Sequence, residues 1–428
     1  MAITLMLLGL LALILINVPI GVALAIVGAT GTYLSYGASS LPNVALTMYD
    51  GATSFPLLAI PLFVLAGAIM NASSIARRLI DLASAMVGFI RGGLALVTIG
   101  SSIFFAEISG SAVAGVAALG SVLIPAMRKK GYSREFSAAI SSSAASLAII
   151  LPPSIPMILY AVMAQESVVK MFIAGVFPGL LGALGLAFMA YFLARRNNYP
   201  VEERFRVSRL VEAFKNAFWA LTIPVIILGG IFGGFVTATE GAGLAVVAAL
   251  LISGLIYREL NLRVLYKACL EGGIQTAVVM LLVASSALVG DYFTEAQLPQ
   301  QLAAGIESIT TNTYAVLALL NVFFLILGMF LHSAAAIILV VPIVMPLIHA
   351  VGIDPVHFGL IVTLNLAIGQ QTPPVASVLI TSCSIAKADV WRTSRVNLWF
   401  IGVLFALLMI NTYVPSIALA LVHLVYGY

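Results

Sequence analysis

Displaced against itself by 221 residues, the sequence brings its rarest residues into register: Gly51 with Gly272, Pro125 with Pro346, Gly131 with Gly352, and Pro152-Pro153 with Pro373-Pro374. The chain is therefore read as two copies of one unit. Matched loops carry opposite charge bias. Arg128, Lys129, Lys130 and Arg134 fall opposite Ala350 to His357, a stretch with no Lys or Arg and one Asp. The basic residues of 77–91 match 298–312, where Glu307 is the only charge, and those of 258–267 match 37–46, which has none. Lys and Arg collect on the cytoplasmic side of a membrane, so the two copies are expected to insert upside down relative to each other, an arrangement of secondary transporters.

The composition supports a membrane setting: 62% of the 428 residues are hydrophobic and 8% are charged, with a mean hydropathy of +1.14. A soluble domain has a different balance. The apolar runs lack the period-2 alternation of a barrel, and backbone groups in lipid must be satisfied internally, so an all-α polytopic bundle is expected. The formal charge of +4 comes from loop Lys and Arg, and no basic run resembles a nucleic-acid patch. Cys269 and Cys383 form no metal-type spacing and read as small packing residues. Met1 to Ile16 has no basic n-region and no clear cleavage site, and is read as a retained first span.

No Lys or Arg occurs between Ala268 and Ala386, which puts the loops at 291–313 and 350–357 outside and the basic groups in the cytoplasm. Spans of about 20 residues are then expected at 1–16, 20–36, 52–72, 136–164 and 172–194, and again at 217–236, 242–257, 272–293, 357–386 and 396–415. The first inverted unit is 1–194, a cytoplasmic linker is 195–216 and the second unit is 217–428, with scaffold and transport parts interleaved. Residues 92–127 are apolar yet start and end beside cytoplasmic arginines; two short spans or a re-entrant hairpin would satisfy this, and the small residues at its middle favour the hairpin. Residues 313–349 are its counterpart from outside. Proline removes backbone donors and clashes with the preceding turn, so the Pro-Pro pairs divide 136–164 and 357–386 into half-helices. Such breaks leave unpaired amides and carbonyls at mid-membrane, where they attract anions and cations.

At the first hairpin and break lie Glu107, Ser109, Gly110, Ser111, Pro152, Pro153 and Ser154. Hydroxyls and freed carbonyls are hard oxygen donors suited to Na⁺; the competing reading is that Ser and Gly only let helices approach closely. The second set is Gly328, His332, Ser333, Gly369, Gln370, Gln371, Thr372 and Pro373, with His332 in register with Ser111. His332 is read as a substrate contact or a hydrogen-bonded structural residue, Glu107 as a functional carboxylate or a brace for the hairpin backbone. Gln370 and Gln371 would hold a polar substrate or cap the half-helix. No HExxH, GxSxG or Walker-type motif occurs, so neither catalysis nor ATP hydrolysis is expected.

The stretches LLALILINVPIGVALAIVG, FPLLAIPLFVLAGAIM, the long block from EISGSAVAGVAALG to ILPPSIPMILYA, and LNLAIGQQTPPVASVLITSCSIA resemble the large membrane subunit of tripartite ATP-independent periplasmic (TRAP) transporters, the DctM or SiaM type. The resemblance covers essentially the whole chain. It implies a multi-pass protein of the bacterial inner membrane with an elevator-type, ion-transporter-like fold, driving uptake of a carboxylate such as a C4-dicarboxylate or sialic acid with Na⁺ as coupling ion. It also implies a small membrane subunit as a separate chain and a periplasmic substrate-binding protein. Residue by residue, Ser109, Gly110, Ser111, Pro152 and Ser154 would form one Na⁺ site, and Gly328, Ser333, Gly369 and Thr372 the other. Glu107, His332, Gln370, Gln371, Pro153 and Pro373 would face the substrate. A stand-alone divalent-anion/Na⁺ symporter is the nearest rival; its tips resemble Ser-Asn-Thr, where this chain has Ser109-Gly110-Ser111 and His332-Ser333-Ala334. An intramembrane enzyme using Glu107 and His332, or a channel, would be rivals of other classes.

Overall fold

The structure, a computed structural model, describes residues 2–16, 18–109, 111–201, 205–307, 310 and 312–427, and their side chains except at 2–5, 7, 15, 106–109 and 307. The described residues form helices and connecting turns. Nine helices among them are long and apolar enough to cross a membrane.

Helix boundaries recur at the same 221-residue offset. The helix–turn–helix of α6 (Gly93–Ser109) and α7 (Ala112–Lys129) matches that of α15 (Thr313–Phe330) and α16 (Ser333–Ala350). The pair α8 (Arg134–Ser146) and α9 (Ile155–Met163) matches α17 (Pro355–Gly369) and α18 (Ser377–Ala386), followed by the long α10 (Val168–Arg196) and α19 (Val390–Tyr413). Before these stand α1 (Ala2–Leu15), α2 (Ile20–Tyr36), α3 (Leu41–Ala52), α4 (Ala59–Ala72) and α5 (Ile75–Val87). The second series opens with α11 (Val207–Phe232), α12 (Ala238–Ile256), α13 (Leu262–Glu295) and α14 (Leu298–Glu307), and α20 (Pro415–Tyr426) closes the chain.

Several elements differ from the sequence expectation: α14 lies inside the expected loop 291–313, α11 begins inside the expected linker, α20 follows the last expected span, and two further differences have a visible cause. The basic stretch after residue 72, read as loop, contains α5, because Ile75, Leu79, Leu82 and Ala83 recur at helical spacing and are buried on one face. The third span of the second series runs on as the 34-residue α13, whereas its counterpart is cut at Thr53-Ser54 into α3 and α4, with Pro56 just beyond the cut. Proline has no N–H to give and is best accommodated at the start of a helix.

Loop polarity sets the helix starts. Ser133, Ser154, Ser167, Asn261, Asn312, Asp354 and Asp389 each accept a backbone N–H with their side chain, and Thr237 with Glu240 forms a capping box. The halves interlock: α8 packs against α18 and α19, α9 against α16, and α10 against α19. α2, α3 and α4 pack on α13, and α5 on α11. Large apolar side chains such as Leu184, Phe188 and Val225 are exposed on the outer faces, as lipid contact requires.

Candidate functional site

A cavity of about 840 Å³ is lined by both helix–turn–helix tips: Ser111 to Ala114 from the first, and His332, Ser333 and Ala334 from the second. Ile149, Ile155 and Pro156 of the first break join them, and Asn71, Ser73, Arg77, Glu271 and Gln275 form a polar wall from α13 and the α4–α5 corner. The matched pair Ser111 and His332 thus lies on one cavity. They differ in use. The Ser111 hydroxyl faces the Ala114 N–H at 3.5 Å, capping α7, whereas His332 stands at the cap position of α16 without a side-chain cap bond and is exposed toward the cavity.

The other candidates lie at the two breaks. Both proline pairs are joined by cis peptide bonds. In the first break Ser154 is fully buried; its hydroxyl donates to the Ile149 carbonyl at 2.7 Å and accepts from the Met157 N–H. Pro152 and Pro153 are buried beside it. In the second break the Thr372 hydroxyl donates to Ile368 O at 2.9 Å, and Thr372 and Pro373 border a separate, smaller cavity with Trp391 and Arg395. Gly328 and Gly369 meet backbone to backbone: a Cβ at Gly369 would sit 2.6 Å from Gly328 Cα. That approach requires glycine whatever else the carbonyls hold. Gly110 and the side chains of Glu107 and Ser109 lie outside the described residues.

The two glutamines have separate surroundings. Gln371 is fixed by a buried network: its Oε1 accepts from Asn397 Nδ2 at 3.2 Å and its Nε2 donates to Ala367 O. The Ser143 hydroxyl lies 2.7 Å from Gln371 Oε1 and 2.8 Å from Asn397 Oδ1, with one proton to give to either. Gln370 is 1% exposed, and neither side-chain atom has a hydrogen-bond partner among the described residues. A buried amide without partners is costly, at about 1–3 kcal/mol, so this side chain is available to a ligand or water. A second buried network joins Asn365 Nδ2 to Asn321 Oδ1 at 2.6 Å and Asn321 Nδ2 to Thr412 Oγ1 at 3.0 Å.

The sequence reading missed Ser143, Asn321, Asn365 and Asn397, although amides inside apolar runs are themselves a signal. It used Arg77 only as a topology marker. Arg77 and Arg78 are adjacent but differently placed. Arg78 donates to Ser74 Oγ at 2.9 Å, pairs with Glu259 at 3.4 Å and lies 3.9 Å from the Tyr257 ring centroid. Burial works to raise the Glu259 carboxyl, but the Ser74 hydroxyl and N–H and the Arg78 charge together hold it below the ordinary range. Among the described residues no group of three or more His, Cys, Asp or Glu could hold a metal.

Comparison with known proteins gives a consistent set of similarities. The family model DctM, described as the DctM component of the tripartite ATP-independent periplasmic transporter, matches residues 7–417. The isethionate TRAP transporter permease protein DctMQ of Oleidesulfovibrio alaskensis is 41% identical over 94% of this chain and 64% of its own length. The C4-dicarboxylate TRAP transporter large permease protein DctM of Pseudomonas aeruginosa is 38% identical over 91% of each chain. The sialic acid TRAP transporter permease protein SiaT of Haemophilus influenzae is 35% identical over 95% of this chain and 66% of its own length. The chain therefore spans about two thirds of two of these relatives. Among solved structures, the YdaH transporter of Alcanivorax borkumensis aligns with a TM-score of 0.62 at 15% identity, covering 91% of this chain and 90% of that one, a likeness of fold.

Proposed function

Because the chain belongs to the DctM family, the large membrane component of tripartite ATP-independent periplasmic transporters, we propose that it carries a small organic anion inward through the cavity shared by its two tips, coupled to Na⁺. The relatives named for isethionate, C4-dicarboxylates and sialic acid support a substrate that is a carboxylate or sulfonate. A periplasmic binding protein delivers the anion, a small membrane subunit completes the permease, and the bacterial inner membrane is its location. No catalytic chemistry is required of the chain.

The observation that carries this reading is the meeting of Ser111–Ala114 and His332–Ala334 on one cavity. Each tip presents the first turn of a helix, whose unpaired N–H groups favour negative charge. Ser111, Ser333 and His332 add donors at the same edge. The helices ending at Ser109, Phe330 and Gly369 turn the negative ends of their dipoles toward the interior, which suits a hard cation. Ser109, Gly110, Ser111, Pro152 and Ser154 make the first proposed Na⁺ site, and Gly328, Ser333, Gly369 and Thr372 the second. Glu107, Gln370, Gln371, Pro153 and Pro373 shape the ground between ion and substrate, with Gln370 free to hydrogen-bond and Gln371 held in place. Movement of the tip-bearing body against the rest, as an elevator, would expose the cavity to each side in turn.

Reconstitution with the small subunit in liposomes tests the proposal. An inward Na⁺ gradient should drive uptake of labelled isethionate, succinate or sialic acid only when the matching binding protein is present. Uptake that ignores Na⁺ would remove the ion sites. Uptake without binding protein would favour the stand-alone symporter.

A further inference from the structure

We propose that Arg77 binds the anionic group of the substrate on the cavity wall formed by α5; this rests on the cavity being the transport site. Arg77 is the one Lys or Arg lining that cavity among the described residues. Its neighbour Arg78 is fully engaged, with Ser74, Glu259, the Asn216 carbonyl and the Tyr257 ring. Arg77 is exposed and makes no hydrogen bond or ion pair among the described residues. Adjacent positions on a helix point about 100° apart, so α5 directs one guanidinium into a structural clamp and the other to the cavity.

The surrounding charges sharpen the argument. Glu271, on α13, is the only Asp or Glu lining the cavity among the described residues, and no ion pair joins it to Arg77. Asp81, one turn along α5, has its carboxyl raised by partial burial against the opposing pull of Arg77, Arg209 and Arg78. An arginine facing a walled space presents a planar fork of donors that matches a carboxylate or sulfonate in two bonds. It stands on a different wall from Ser111 and His332, so one substrate can be held by helix amides at the tips and by the guanidinium at its far end. A lysine would keep the attraction and lose the two-point fit.

The test uses the permease reconstituted with its small subunit and binding protein, with Cys269→Ser and Cys383→Ser removing the native thiols. In this background Ala114→Cys places a thiol on the cavity. With each rate divided by that reagent's rate toward a free small thiol, reaction with a sulfonate-bearing methanethiosulfonate should outpace its cationic counterpart by about 10-fold. Arg77→Gln should bring the two rates together, and Arg77→Lys should keep most of the difference. In uptake assays without Ala114→Cys, Arg77→Gln should raise the half-saturating concentration of whichever of isethionate, succinate or sialic acid is carried by about 10–100-fold, the range for losing charge-assisted bonds. Arg77→Lys should recover part of this. Wild-type concentration dependence in Arg77→Gln, or a reagent ratio unmoved by it, would overturn the inference. Should modification of the introduced thiol leave uptake intact, the cavity is not the path and the proposed function fails instead.

Discussion

The two breaks share a backbone and differ in dress. Both turn at a cis Pro-Pro pair in register at 221 residues, yet the three residues before the prolines are Ile149-Ile150-Leu151 in the first and Gln370-Gln371-Thr372 in the second. The first is closed by apolar packing, with Ile149, Ile150 and Leu151 all buried and Ser154 as its hydroxyl. The second is held by Gln371 with Ser143 and Asn397, while the Gln370 side chain has no hydrogen-bond partner among the described residues. The same backbone turn occurs twice, and only one of the two carries side-chain amides before its prolines. The first break has backbone carbonyls and one hydroxyl, and the second adds a buried amide; under the proposed function this would give the two breaks unequal roles toward ion and substrate.

Gly369 gives the sharpest way to break the comparison. Its counterpart in the first copy is Ala148, but Gly369→Ala would drive a methyl to 2.6 Å from Gly328 Cα. The expected loss is about 3 kcal/mol, read as a fall in thermal midpoint in detergent. Gly290→Ala, with nothing within 4 Å, should leave the midpoint nearly unchanged. Equal effects would mean that the helix ends do not meet.

Exchanging the dress comes next. Gln371→Ile copies Ile150 and strands Ser143 and Asn397, at an expected cost of about 2 kcal/mol. Ile150→Gln buries an amide in the apolar break at a similar cost. If Gln371→Ile is neutral in the same assay, the network does not support the turn. Hydroxyl removal is expected to be smaller in stability and visible in transport: Thr372→Ala and Ser111→Ala should raise half-saturating Na⁺ several-fold while expression holds. An unchanged Na⁺ response in both would withdraw the placement of the ion sites.

The smallest effect lies at the Arg78 clamp, outside both breaks. Glu259 has a depressed pKa, so its stabilisation is present above the carboxylate's unfolded value of about 4.3 and is lost as pH falls through the lower folded value. Glu259→Gln should cost about 1 kcal/mol at neutral pH and flatten the acid limb of a thermal-midpoint profile. An acid limb as steep as wild type would show that Glu259 does not titrate with stability.

Much of this architecture is legible in the sequence because prolines, glycines and charges are scarce in an apolar chain, so each marks a turn or a side of the membrane. The Pro-Pro pairs point to the helix interruptions at 147–154 and 370–376. The amphipathic α5 carried a readable period, Ile75, Leu79 and Leu82, that the arginines obscured. Other features depend on long-range approach. Ser143 meets Gln371 across 228 residues, and nothing local distinguishes it from Ser141 or Ser142. Likewise Gly328 and Gly369 look like ordinary helix-end glycines until the two helices are placed in contact, and Arg77 like any loop cation until Arg78 is seen to be taken.

An electron cryo-microscopy structure in Na⁺ with the transported anion bears most directly on the central claim. The account predicts density for the anion between Ser111–Ala114 and His332–Ala334. Anion density confined to another surface, with both tips bare, would contradict it.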